Sequence, residues 1–156
     1  MRPSKRALTS SLPLRKKADL PSLGRLRVDA ALLALLIGAM NANDHVSPEE
    51  GARAHHIIWS MRRFRRKSGE TVGRAIEQMR ELIEKHGAPP VIAAAAHALP
   101  PRLRERAFAV AADLVLADGK LEGAERRFLV RLGLHLHLDE KTTRRILDVI
   151  AIKNGA

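Results

Sequence analysis

The pattern of apolar and polar residues along the chain predicts helices throughout and no strands. Apolar residues recur at spacings of three and four, as at Val72, Ile76, Met79 and Ile83, which is the period of an amphipathic helix. No alternating pattern of useful length occurs that would predict a β-strand. The predicted helices cover residues 29–42, 48–67, 70–86, 90–98, 101–118 and 122–136, and the last begins near residue 140. We therefore expect an all-α protein, a compact bundle of about seven helices.

Capping residues support several of these boundaries. Ser47 is placed as an N-cap, with Pro48 at the first helical position and Glu50 completing a capping box. Asp29 and Asp139 are expected to cap the first and last helices in the same way.

Burial follows from how far apolar residues extend around each helix. Segments 30–42 and 101–118 are apolar over most of their circumference, so both are predicted to be central and buried. In the last helix, Ile146, Val149 and Ile150 are expected to face inward.

A short pattern occurs twice, 75 positions apart. Residues 42–46 read Ala-Asn-Asp-His-Val and are followed by Glu50, whereas residues 117–121 read Ala-Asp-Gly-Lys-Leu and are followed by Glu125. The apolar positions upstream and downstream of each copy also correspond. This similarity at a fixed offset predicts an internal duplication with pseudo-two-fold symmetry.

Each copy has the features of a helix-loop-helix corner. Asp118 can accept hydrogen bonds from loop amides, Gly119 can adopt a positive φ, and Leu121 can anchor the loop in the core. Glu125 can act on the exposed amides and the dipole of the following helix. Asn43, Val46 and Glu50 are expected to play the same roles in the first copy. The alternative is a cation site built from these loop residues.

The second copy also resembles the second half of an EF-hand loop, with Asp118, Gly119 and Glu125 at matching positions. The first half is missing, because Leu114 and Leu116 occupy the first two ligand positions. An EF-hand calcium site is therefore excluded.

The net charge of +11 is concentrated at the amino terminus, since residues 1–28 contain eight Lys or Arg and one acid. We expect residues 1–28 to form a disordered basic tail ahead of a helical domain at 29–156. Such a tail is either simply solvated or attracts phosphates and anionic lipids without reading sequence. The candidate anion-binding residues are Arg15, Lys16, Lys17, Arg62, Arg63, Arg65, Arg66 and Lys67.

Several function classes are excluded or disfavoured by composition. The absence of cysteine removes thiolate catalysis and Cys-ligated zinc, and it is compatible with a reducing compartment. No nucleophile-base-acid set, GxSxG motif or phosphate-binding glycine loop occurs, so we do not expect an enzyme. The pairs His55-His56 and His135-x-His137 are not spaced for chelation on one helical face.

The two Ala-Asx motifs with their downstream glutamates, and the apolar helices before them, resemble the TerB family of tellurite-resistance domains over residues 29–152. The resemblance implies a helical bundle that acts as a non-enzymatic stress-response module beside a protein partner, in some cases a membrane-associated one. It also implies a site for a divalent cation or partner at Asp118, Glu125, Asn43 and Glu50. The first copy departs from the family pattern, because Asn43-Asp44 replaces Asp-Gly: an amide stands in place of the carboxylate, and the carboxylate of Asp44 is shifted by one position.

Two functions remain as alternatives at this point. One is a cytoplasmic accessory module, at the inner face of the membrane if its partner is membrane-bound. The other is a basic protein that binds nucleic acid or anionic membrane through its tail and residues 62–67.

Overall fold

A computed structural model describes residues 26–42 and 46–155. This part of the chain folds into eight α-helices and contains no strand. The helices are α1 (Val28–Met40), α2 (Pro48–Ser60), α3 (Arg62–Arg65), α4 (Gly69–His86), α5 (Ala88–Ala98), α6 (Pro101–Val115), α7 (Gly123–His135) and α8 (Glu140–Asn154). The all-α prediction is confirmed. The predicted basic tail falls almost entirely outside the described residues.

Helix α1 forms the centre of the bundle, as its apolar sequence predicts. Every residue from 31 to 39 is buried, and α1 packs against α2, α4, α5 and α6. At Gly38 the approach is especially close. A Cβ atom built there would lie 3.1 Å from Ile92 Cγ1 and 3.3 Å from Phe128 Cε2. Glycine at this position thus lets α5 and α7 contact the backbone of α1.

The internal duplication is visible in the helix boundaries. Helix α7 begins and ends 75 residues after α2, and α6 ends 75 residues after α1. The corresponding central helices α1 and α6 pack against each other. The two repeats therefore share a core rather than forming separate units.

The predicted helix at 48–67 is wrong in one respect, because it is two helices. The backbone of Met61 is extended, with ψ of 128°, and separates α2 from α3. Met61 and Phe64 are both almost completely buried. The extended backbone at Met61 allows both side chains to be buried. The free energy of burying them outweighs the helical propensity that the segment has throughout.

Two further predictions, for the first and last helices, are wrong. The N-cap of α1 is Arg27, not Asp29, and Asp29 lies in the first turn of the helix. Helix α8 packs mainly on α6, and none of its residues is fully buried. Ile146 and Ile150 are half-buried as predicted, but Val149 is 62% exposed and does not face inward. None of the described helices is long and apolar enough to span a membrane.

Candidate functional site

The second repeat loop joins α6 to α7 and has the local structure that its sequence predicts. The carboxylate of Asp118 accepts a hydrogen bond from the backbone N–H of Lys120 at 2.9 Å. Gly119 adopts a φ of +76°, a conformation that favours glycine. Leu121 is half-buried and packs against the core. The hydrogen bond, the backbone conformation of Gly119 and the packing of Leu121 together fix the loop ahead of α7.

Glu125 lies in the first turn of α7 and is only 3% exposed. Its Oε2 accepts a hydrogen bond from the backbone N–H of Glu122 at 2.8 Å. The carboxylate therefore satisfies one of the amides that a helix start leaves without an intrahelical acceptor. It does so from a position that water barely reaches.

The first repeat reproduces this arrangement at the start of α2. Ser47 and Glu50 form a reciprocal capping box, in which Glu50 N–H donates to Ser47 Oγ at 3.1 Å. Ser47 N–H donates to Glu50 Oε2 at 2.7 Å, the same bond that Glu125 accepts in the second repeat. Glu50 is 6% exposed. The two glutamates thus occupy equivalent, buried positions.

One described residue of the first loop, Val46, does not follow the prediction. Val46 is 42% exposed and does not anchor the loop as Leu121 does. Asn43, which was predicted to be a ligand, lies outside the described residues, as do Asp44 and His45.

The two buried glutamates also interact electrostatically. Burial raises the pKa of Glu125 above its ordinary value, although its hydrogen bond from the Glu122 amide opposes the change. The negative charges of Asp118, Glu122 and Glu50 raise this pKa further. Glu50 makes the smallest of these contributions, so the equivalent carboxylates of the two repeats lie within electrostatic range of each other.

These residues provide a limited set of metal ligands. Within the described residues, no group of three or more Asp, Glu or His side chains is arranged to hold a metal ion. Glu50 and Glu125 form a buried pair, whereas Asp118 is exposed and already accepts a bond from the loop. Two carboxylates can bind a cation that keeps several of its waters, as Mg²⁺ does, but they do not provide the six to eight oxygen ligands of Ca²⁺.

Comparison with known proteins identifies the family of this chain. The family model described as tellurite resistance protein TerB matches residues 29–148, which is most of the chain. The chain belongs to the TerB family. It has no match among curated proteins or among solved structures.

In this TerB domain, the basic cluster at residues 62–67 is partly occupied by internal contacts. Arg63 Nε lies 2.6 Å from Asp29 Oδ1, and Lys67 Nζ lies 3.1 Å from Asp29 Oδ2. Arg65 donates a hydrogen bond to the backbone oxygen of Ser60 at 3.1 Å. Arg62 and Arg66 are exposed and make no ion pair within the described residues. The cluster therefore presents less free positive charge than its sequence suggests. Arg15, Lys16 and Lys17 lie outside the described residues.

Sequence reasoning missed a second basic surface of the TerB domain, on α7. Arg127, Arg131 and His135 are spaced by four residues, so they lie on one side of the helix. This spacing was detectable in the sequence. The sequence did not indicate that these side chains form a surface, because only the fold shows that they line a groove against α1 and α5.

Proposed function

We propose that this TerB domain acts as a non-enzymatic stress-response accessory module that binds a divalent cation at Glu50 and Glu125. The observation that carries the proposal is the pair of buried carboxylates, one from each repeat, whose negative charges are close enough to interact. Placing like charges together away from water costs free energy, and a bound cation would offset that cost. Asp118 would contribute negative charge at the edge of the site.

Helix capping explains only part of this arrangement. Oε2 of each glutamate accepts a hydrogen bond from a backbone amide at the start of its helix. A capping glutamate can perform that role at the surface, where its charge remains solvated. Burial of both residues, with the charge of Glu50 acting on Glu125, is the additional feature that supports cation binding. The donor set favours a hydrated Mg²⁺ over Ca²⁺.

The proposal predicts a specific dependence on pH. A cation binds the ionised carboxylate, and the raised pKa of Glu125 means that protons compete with the cation at a higher pH than for an ordinary glutamate. Cation affinity should therefore fall on acidification before ordinary surface carboxylates are protonated.

The test is thermal unfolding of the full chain, stripped of metal, in the presence of MgCl₂, CaCl₂ or ZnCl₂. A ligand at a hundred times its Kd stabilises a protein by about 2.7 kcal/mol, which corresponds to a rise of several degrees in Tm. Mg²⁺ should produce such a rise. Glu125→Gln, which keeps an oxygen acceptor for the helix amide, should abolish it, and Asp118→Ala should weaken it.

The matched control is Glu77→Gln, which removes an exposed carboxylate from α4 and should leave the response to Mg²⁺ unchanged. If none of the three ions raises the Tm of the wild-type chain, the cation proposal is wrong. The same conclusion follows if Glu77→Gln and Glu125→Gln reduce the response equally, since that would indicate general charge screening.

A further inference from the structure

A groove of about 360 Å³ lies where the end of α1 meets the start of α5 and one side of α7. One part of its wall is apolar and is formed by Pro89, Ile92 and Phe128. Ile92 is buried and Phe128 is half-buried, so the wall is anchored in the core. A volume of this size falls within the range of pockets that hold small organic ligands.

The other part of the wall is cationic. Arg127, Arg131 and His135 all line the groove, and they follow one another at one turn of α7, about 6 Å apart. All three are exposed, and among the residues that the structure describes no carboxylate lines the groove. Neither arginine makes a salt bridge within the described part of the chain.

Several other arginines of the domain differ from Arg127 and Arg131 in this respect. Arg53, Arg63, Arg74 and Arg144 are each paired with an acidic side chain. In the groove, two arginines without an acidic partner among the described residues lie beside an apolar wall that includes the aromatic ring of Phe128. A guanidinium group binds phosphate with two parallel hydrogen bonds, and an apolar wall favours an organic group attached to that phosphate.

We propose that this groove binds a phosphate ester, with Arg127 and Arg131 contacting the phosphate and the apolar wall contacting the organic part. A free nucleotide and a phospholipid headgroup share this chemistry, and experiment distinguishes them. Neither Glu50 nor Glu125 lines this groove, and the proposal does not depend on cation binding at those residues.

The test uses three probes with the full chain: inorganic phosphate, AMP, and vesicles containing phosphatidylglycerol. Binding of the first two is measured by calorimetry, and binding of vesicles by co-sedimentation. AMP or the vesicles should bind the wild-type chain, and AMP should bind more tightly than inorganic phosphate. Binding of AMP alone identifies a soluble phosphate ester, whereas binding of vesicles alone identifies a lipid headgroup.

The decisive comparison is between two double variants with the same loss of charge. Arg127→Gln with Arg131→Gln should weaken binding by about tenfold or more, since each change removes charge-assisted hydrogen bonds. Arg102→Gln with Arg106→Gln, two exposed arginines of α6 that do not line the groove, should change it less than twofold. Circular dichroism and Tm verify that each variant is folded. The single change Arg131→Gln provides a milder test if the double variant unfolds.

Three results would overturn the proposal. The first is that none of the probes binds at millimolar concentration. The second is equal weakening by the two double variants, which would indicate non-specific attraction to a basic protein. The third is equal affinity for AMP and inorganic phosphate together with no binding of vesicles, which would leave the apolar wall without a role.

Discussion

The packing around Gly38 leads to a quantitative prediction about the core. In Gly38→Ala, the new Cβ would overlap with Ile92 Cδ1 and also crowd Ile92 Cγ1 and Phe128 Cε2. Overpacking of a buried site typically costs about 1–3 kcal/mol, while alanine gains up to about 1 kcal/mol over glycine within a helix. Gly73 supplies the matched control, because it lies in α4 and a Cβ there would meet nothing within 4 Å.

We expect Gly73→Ala to stabilise the domain by about 0.5–1 kcal/mol. Gly38→Ala should be less stable than Gly73→Ala by about 1–3 kcal/mol, because the helix-propensity gain is common to both changes. Urea unfolding followed by circular dichroism measures this difference, which corresponds to about 2–4 °C in Tm for each kcal/mol. Equal stabilisation by the two changes would refute the close approach of α1, α5 and α7.

A second substitution tests whether Ile92 is the residue responsible. Ile92→Val removes Cδ1 and should cost about 0.5–1.5 kcal/mol in the wild-type chain. In the Gly38→Ala background it should cost less or become stabilising, because it makes room for the new methyl group. Additive free energies would show that the strain lies elsewhere.

Two further predictions concern the helix starts. Asp29→Asn should destabilise the domain by about 1–2 kcal/mol at neutral pH, from the loss of two ion pairs and a favourable contact with the dipole of α1. Burial would raise the pKa of Asp29, but hydrogen bonds and charges from its two cationic neighbours outweigh burial and lower it. The stabilisation by Asp29 is therefore present above its unfolded-state pKa and lost as pH falls through the lower folded-state pKa. In urea unfolding, Asp29→Asn and the wild-type chain should become equally stable in acid. The control Asp148→Asn should match the wild-type chain throughout. Ser47→Ala removes the N-cap of α2 and should lower the free energy of unfolding by about 1 kcal/mol in the same assay. The control Ser60→Ala, at the end of that helix, should lower it by less than about 0.5 kcal/mol. Equal losses of stability would contradict the capping role of Ser47.

The sequence was sufficient to predict the fold class and most of the local structure. The apolar circumference of α1 predicted its burial, and Ser47 and Asp139 correctly marked where helices begin. Such features depend on residues a few positions apart, whose interactions are similar in any fold.

The failures involve residues whose roles depend on distant parts of the chain. Met61 breaks a helix that contains no Gly or Pro there, because Phe64 also has to reach the core. Asp29 has the right residue type for an N-cap but instead binds Arg63 and Lys67, which lie more than thirty positions away. Val149 has helical spacing for burial but faces solvent, because α8 has few neighbours besides α6.

The candidate site combines both kinds of information. The sequence correctly indicated that Glu50 and Glu125 act at equivalent helix starts, and the structure adds that they are buried and interact with each other. The proximity was not predictable from the offset of 75 residues, since equivalent positions of a repeat can lie anywhere on the surface.

Pseudo-two-fold symmetry gives a physical reason for that proximity. Equivalent residues of two repeats approach each other only near the axis that relates the repeats, and the packing of α1 on α6 places the interface of the repeats in the core. The effect of the Glu50 charge on the pKa of Glu125 is what is expected if both capping glutamates lie near that axis. In a single repeat this residue would simply stabilise a helix, whereas in the duplicated fold it becomes half of a buried pair of like charges. Replacing both with Gln keeps the amide acceptors and removes the repulsion, so the double variant separates the capping role from cation binding: helix content should persist while the response to Mg²⁺ is lost.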